Sequence, residues 1–228
     1  MGLLKKLAGQ SAIYGISSIL GKSINFLLVP LYTGYLPKED LGSFTMLYAL
    51  IAFLNVVFTF GMETSYFRFA TGKGLDPKIV FQNAQTLVTA VGLSLGIILF
   101  LFADKLSLLF EYEGKTHLFQ WAAIILTIDA LMALPFARLR LDGRSLTFAL
   151  LKLFNILLNV GFNVLFIVVA YHIVAGDFLQ VFYPYVADWY NPEWGVDYIL
   201  LANLLANLII LPIIWKLAGK WKLQFKRS

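Results

Sequence analysis

Four ionisable side chains stand inside long apolar runs: Lys22, Glu63, Asp129 and Lys152. A charge at mid-membrane costs ~3 kcal/mol on insertion scales, so such a residue marks a pathway, a partner or a binding site. Lys22 lies roughly 14 Å into its run, near the middle of a ~30 Å hydrocarbon core and too deep for its ammonium to reach the surface. Either a water-filled cavity hydrates it or an acid on another helix pairs with it. Asp129 and Arg140 are nearly eclipsed along one helical face, with Ala133 and Phe136 between them. A carboxyl held away from water is the kind of group that takes up and returns a proton, which makes Asp129 a candidate coupling residue. The competing reading is a fixed ion pair with a lysine on a neighbouring helix. Glu63, the second coupling candidate, is about 140° around the axis from Arg68, so the two must find partners elsewhere. Arg68 also reads as an arginine placed at a membrane boundary. Lys152, Asn159 and Asn163 share a helical face within about 40°, with Asn155 nearby. They fit a hydrated lining or hydrogen bonds between helices. Asn203 and Asn207 repeat the pattern at i, i+4.

The elements that would carry these groups are six long apolar segments, at about 11–36, 42–67, 80–102, 118–137, 146–174 and 198–217. None alternates with period two, so they are expected to be helices that satisfy their own backbone groups in lipid. Apolar residues make up 60% of the chain and charged residues 14%, far from soluble proportions, which the next observation turns into an orientation. One set of connections carries Lys5, Lys6, Arg68, Lys73, Lys78, Arg138, Arg140, Arg144, Lys216, Lys220, Lys222, Lys226 and Arg227, the other only Lys38, Lys105 and Lys115. Basic loops stay in the cytoplasm, so both termini are expected there. Attraction to anionic lipid headgroups explains the net charge of +5 without nucleic acid. The outer connection 175–197 holds Phe178, Phe182, Tyr183, Tyr185, Trp189, Tyr190 and Trp194 but no Lys or Arg. It reads as an interfacial aromatic belt, with an outer gate or a sugar-stacking surface as the alternative.

The embedded polar groups gather toward the basic half of the membrane. With Arg68, Arg138, Arg140 and Lys152 near its mouth, the pattern predicts an inward-facing cationic cavity suited to an amphiphilic anion, its phosphate held by Arg and Lys and its tail left in lipid. No catalytic, nucleotide-binding or metal-ligand motif occurs, and the chain has no cysteine, so no catalytic residue, metal or cofactor is expected.

The first segment reads SAIYGISSILGKSINFLLVPLYTGYLPKEDLGSF, the second ends GMETSYFRFA, and the fourth continues as IDALMALPFARLRLDGRSLTFALLKLFNILLNV. In order, spacing and topology these resemble the O-antigen-type flippases, the polysaccharide biosynthesis branch of the multidrug/oligosaccharidyl-lipid/polysaccharide exporter superfamily. The resemblance implies an all-α polytopic protein of the bacterial inner membrane that moves undecaprenyl-pyrophosphate-linked oligosaccharide by alternating access, driven by an ion gradient. It implies two lobes of six helices around a central cavity, of which 1–228 would be one lobe. The second lobe is absent, so the chain is expected either to be a fragment or to pair with a second copy or another subunit. Lys22, Arg68, Arg138, Arg140 and Lys152 fall in the motif neighbourhoods that would line the cavity, with Asn155, Asn159 and Asn163 beside them. The alternatives are an ion-coupled multidrug exporter of the same superfamily and a membrane-embedded transferase acting on lipid-linked sugars.

Overall fold

A computed structural model describes residues 28–72, 74–192 and 194–219, together with Gly15 and Ile19. Every regular element among them is helical. Residues 28–35 close one helix. There follow α1 (Lys38–Thr59), α2 (Met62–Ala70), α3 (Pro77–Leu101), α4 (Ala103–Leu109), α5 (Thr116–Leu141), α6 (Ser145–Asn163), a π-helical turn Val164–Val169, α7 (Ala170–Ala175), a 3-10 turn Gln180–Phe182, α8 (Tyr183–Val186) and α9 (Gly195–Ala218).

Five helical runs are long and apolar enough to cross a membrane: Asp40–Ala70, Pro77–Leu101, Thr116–Leu141, Ser145–Ala175 and Gly195–Ala218. They coincide with five of the six expected spans. The remaining span, 11–36, lies mostly outside the described residues, and Lys22 with it. At one shifted boundary capping is the reason. Asp76 accepts from the Lys78 amide at 2.8 Å and Pro77 takes the first helical position, so α3 starts at 77 rather than 80.

α5 is the axis of the bundle and packs against α1, α2, α3, α4, α6 and α9. Its apolar run is mostly buried in protein, whereas the others turn Phe53, Val56, Leu101, Leu146 and Leu157 outward, as lipid-facing helices do. Small residues allow the closest approach. Gly92 and Gly96 of α3 lie against Ala130, Thr127 and Ala123 of α5, and a Cβ on Gly96 would come within 2.1 Å of Thr127 Oγ1.

α5 runs continuously through Pro135. The proline has no N–H, so the Leu131 carbonyl loses its usual partner. Gln85 Nε2 of α3 donates to that carbonyl at 3.2 Å and Trp215 Nε1 of α9 donates at 3.5 Å. The second span breaks instead. Phe60 and Gly61 both take left-handed backbone, with φ of 34° and 68°, and separate α1 from α2. For phenylalanine that conformation is strained.

Candidate functional site

The break at Phe60 and Gly61 opens onto a cavity of about 430 Å³ lined by Asn55, Thr59, Gly61, Glu63, Asp129, Met132, Ala133, Phe136, Arg140, Phe148 and Lys152. Four helical elements supply the chemistry. α1 brings Asn55 and Thr59, α2 opens with Glu63, α5 contributes Asp129 through Arg140, and α6 contributes Phe148 and Lys152. The helical face anticipated from Asp129 through Ala133 and Phe136 to Arg140 is therefore one continuous wall.

Charge in this cavity is paired or cushioned. Glu63 accepts a hydrogen bond from Arg140 Nη2 in an ion pair, and it sits in the first turn of α2, where the helix dipole favours an anion. The Arg140 guanidinium also lies over Phe67 at 5.2 Å and Phe148 at 5.4 Å. Lys152 lies over the Phe136 ring at 4.3 Å and has no ion pair within 4 Å among the described residues.

Asp129 is held by amides rather than by a lysine within ion-pair distance. Asn55 Nδ2 donates to one carboxylate oxygen at 3.2 Å and Asn207 Nδ2 to the other at 2.9 Å. Asn155 Nδ2 donates in turn to Asn207 Oδ1 at 2.9 Å, and Asn203 accepts from Asn207 at 3.2 Å. Four helices, α1, α5, α6 and α9, are thus tied through one half-buried carboxylate.

Of the residues singled out from the sequence, Glu63, Asp129, Arg140 and Lys152 meet in this cavity. Asn155 stands one hydrogen bond behind it. Arg68, Arg138, Asn159 and Asn163 are not among its lining residues. Arg68 is exposed on the last turn of α2. Arg138 stacks over Phe81 at 4.5 Å, sits 3.8 Å from Asp142 and lies beside Gly219 at the end of α9. Arg144 donates to the Leu217 carbonyl at 2.6 Å and satisfies the same helix end. Asn163 is buried, accepts from Tyr32 at 3.0 Å and so ties α6 to the helix that ends at residue 35, while its bond to Asn159 Oδ1 at 2.6 Å stays within α6. Among the described lining residues two acids balance two bases, whereas a cationic cavity was expected, because Arg138 and Arg68 go elsewhere.

Asn55 and Thr59 were overlooked in the sequence. They stand four residues apart on α1 and lead at the same spacing to Glu63 of α2, a polar series visible beside the more conspicuous charges.

At the opposite end of the bundle aromatic side chains gather. His117 pairs with the buried Asp197 and lies against Trp121 and Trp194, while Tyr190 stacks on Tyr198 with ring centroids 5.2 Å apart. His172 contacts Tyr35 at 3.0 Å and Asp177 at 2.6 Å. Burial pushes the Tyr190 hydroxyl up to about 12, so this ring stays neutral at physiological pH. Tyr185 and Trp189 remain exposed.

Five helical runs apolar enough to cross a membrane, three of them lining a charged cavity, define a multi-pass membrane protein. A family model described as polysaccharide biosynthesis protein matches residues 35–197. The chain belongs to that family. No curated protein and no solved structure matches it.

Proposed function

We propose that the chain is one lobe of a flippase that carries polyprenyl-pyrophosphate-linked oligosaccharide across the bacterial inner membrane for cell-surface polysaccharide assembly, its basic end facing the cytoplasm. The observation that carries the reading is the charged cavity itself: Glu63, Asp129, Arg140 and Lys152 converge inside the apolar bundle, where only a polar cargo or a coupled ion repays their placement. Membership of a polysaccharide biosynthesis family supports a sugar-bearing cargo over a drug. Arg140, held by Phe67 and Phe148, and Lys152, held by Phe136, are positioned to take the phosphates. Asp129, tied to four helices, is the group whose protonation would report on their packing, and Glu63 is the second such candidate.

Lys152 is exposed in the chain by itself, and Asn55, Thr59, Glu63, Asp129 and Arg140 around it are only half-buried. Lipid cannot cover that face cheaply. A second lobe, a second copy or a partner subunit is therefore part of the working transporter, because alternating access needs two bodies that rock about a central site.

A transferase acting on lipid-linked sugars is the reading to test against. Membranes with and without the chain are incubated with labelled lipid-linked sugars, and the lipids are separated by thin-layer chromatography. The flippase reading expects the same species in both. A new lipid-linked product that depends on the chain overturns it.

A further inference from the structure

The ion pair between Glu63 and Arg140 joins an acid on a short helix, set off by a left-handed break, to a base on the central one. α5 holds Arg140 from the core of the bundle and Phe148 of α6 lies against its guanidinium, while Phe67, its other ring partner, belongs to α2 and moves with Glu63. α2 joins α1 through the left-handed pair Phe60 and Gly61, where a side chain at Gly61 would meet nothing within 4 Å, and its far half is anchored on α3 by Tyr66, buried against Phe81. The join is thus strained at Phe60 and open at Gly61. Both Gly61 and Glu63 line the cavity, so a movement of α2 about this point changes the cavity wall directly. Lys152, across the cavity, keeps its charge uncompensated by any ion pair within 4 Å among the described residues. A diphosphate entering the cavity meets one available cation and one that is already occupied by a carboxylate.

We propose that Glu63 is a tethered competitor of the cargo. Its carboxylate fills, on the Arg140 guanidinium, the place of an anionic group of the transported molecule, and α2 withdraws about Phe60 and Gly61 when that group arrives. The inference rests on the cavity being the cargo path and adds a selection rule. A neutral amphiphile cannot displace Glu63, so the cavity stays narrow against it. A di-anionic headgroup binds Lys152 first and then exchanges with Glu63 on Arg140, which couples recognition of phosphate to opening.

The test uses the full chain in lipid nanodiscs, with inorganic pyrophosphate as the probe. Binding is measured by titration calorimetry for the wild type, Glu63→Gln and Arg140→Gln. Because the chain has no cysteine, a spin-label pair placed through Thr64→Cys and Leu146→Cys reports the separation of α2 from α6 without background. Glu63→Gln is expected to bind pyrophosphate about tenfold more tightly, the equivalent of ~1.4 kcal/mol released by removing a competing ion pair. Arg140→Gln is expected to lose most binding. The label separation should widen on adding pyrophosphate and should already be wide in Glu63→Gln without it. Pyrophosphate binding that is equal in wild type and Glu63→Gln, with an unchanged label separation, overturns the competitor while leaving the cargo path intact. Absence of pyrophosphate binding in all three proteins overturns the cargo path and the competitor together.

Discussion

Replacing Asn207 by leucine isolates what the carboxylate network around Asp129 contributes. The two side chains have the same number and branching of heavy atoms, leucine being the bulkier, so the substitution removes hydrogen bonds without opening a cavity. Asn207 donates to Asp129 on α5 at 2.9 Å and accepts from Asn155 on α6 at 2.9 Å, and both bonds cross between helices. Hydrogen bonds between membrane helices average ~0.6 kcal/mol, so the two account for ~1.2 kcal/mol. Asp129 would keep only the Asn55 amide at 3.2 Å, and losing a donor to a carboxylate adds about 1–2 kcal/mol. We expect Asn207→Leu to destabilise the bundle by about 2–3 kcal/mol, read as a shift in unfolding of the detergent-solubilised protein followed by tryptophan fluorescence. The cause is checked with a double-mutant cycle. In an Asp129→Leu background the Asn207→Leu penalty should shrink by about 1 kcal/mol or more, because the shared bond is already gone. Strict additivity of the two substitutions would refute the claim that Asp129 is held through Asn207.

Gly96→Ala should destabilise the packing of α3 on α5 by ~1–3 kcal/mol, since its Cβ meets Thr127 Oγ1 at 2.1 Å, whereas Gly96→Ala with Thr127→Ala should recover wild-type stability in the same unfolding assay. Single cysteines introduced at Lys38 or Tyr185 should react with an impermeant maleimide from outside intact cells, and those at Lys78 or Ser228 should not. Outside labelling at Lys78 would contradict the expected orientation.

The five described spans were legible because each is a long apolar run with few charges, and hydropathy reads that directly. The same is true of the wall formed by Asp129, Ala133, Phe136 and Arg140, which follows from helical periodicity alone. Sequence could not say which neighbour each side chain would meet. Arg138 and Arg140 are two residues apart and so face nearly opposite ways; the structure sends Arg140 to Glu63 and Arg138 to Phe81 and the end of α9. The break at Phe60 and Gly61 was hidden for a related reason. One glycine in an apolar run is common, and a left-handed phenylalanine leaves no signature in composition. Pro135 leaves the Leu131 carbonyl without its usual donor, and the residues that replace it, Gln85 and Trp215, lie far away in sequence.

The account stands or falls on whether the charged cavity is the route of the cargo. The most direct measurement follows labelled polyprenyl-pyrophosphate-linked oligosaccharide added to inverted membrane vesicles from cells that make the chain, with arrival inside scored by a glycosidase trapped in the lumen. Vesicles carrying the wild-type chain together with the lobe, copy or subunit that covers its polar face should deliver the cargo, and Arg140→Gln combined with Lys152→Gln at equal membrane abundance should slow delivery tenfold or more. Delivery at the wild-type rate by that double variant would contradict the account.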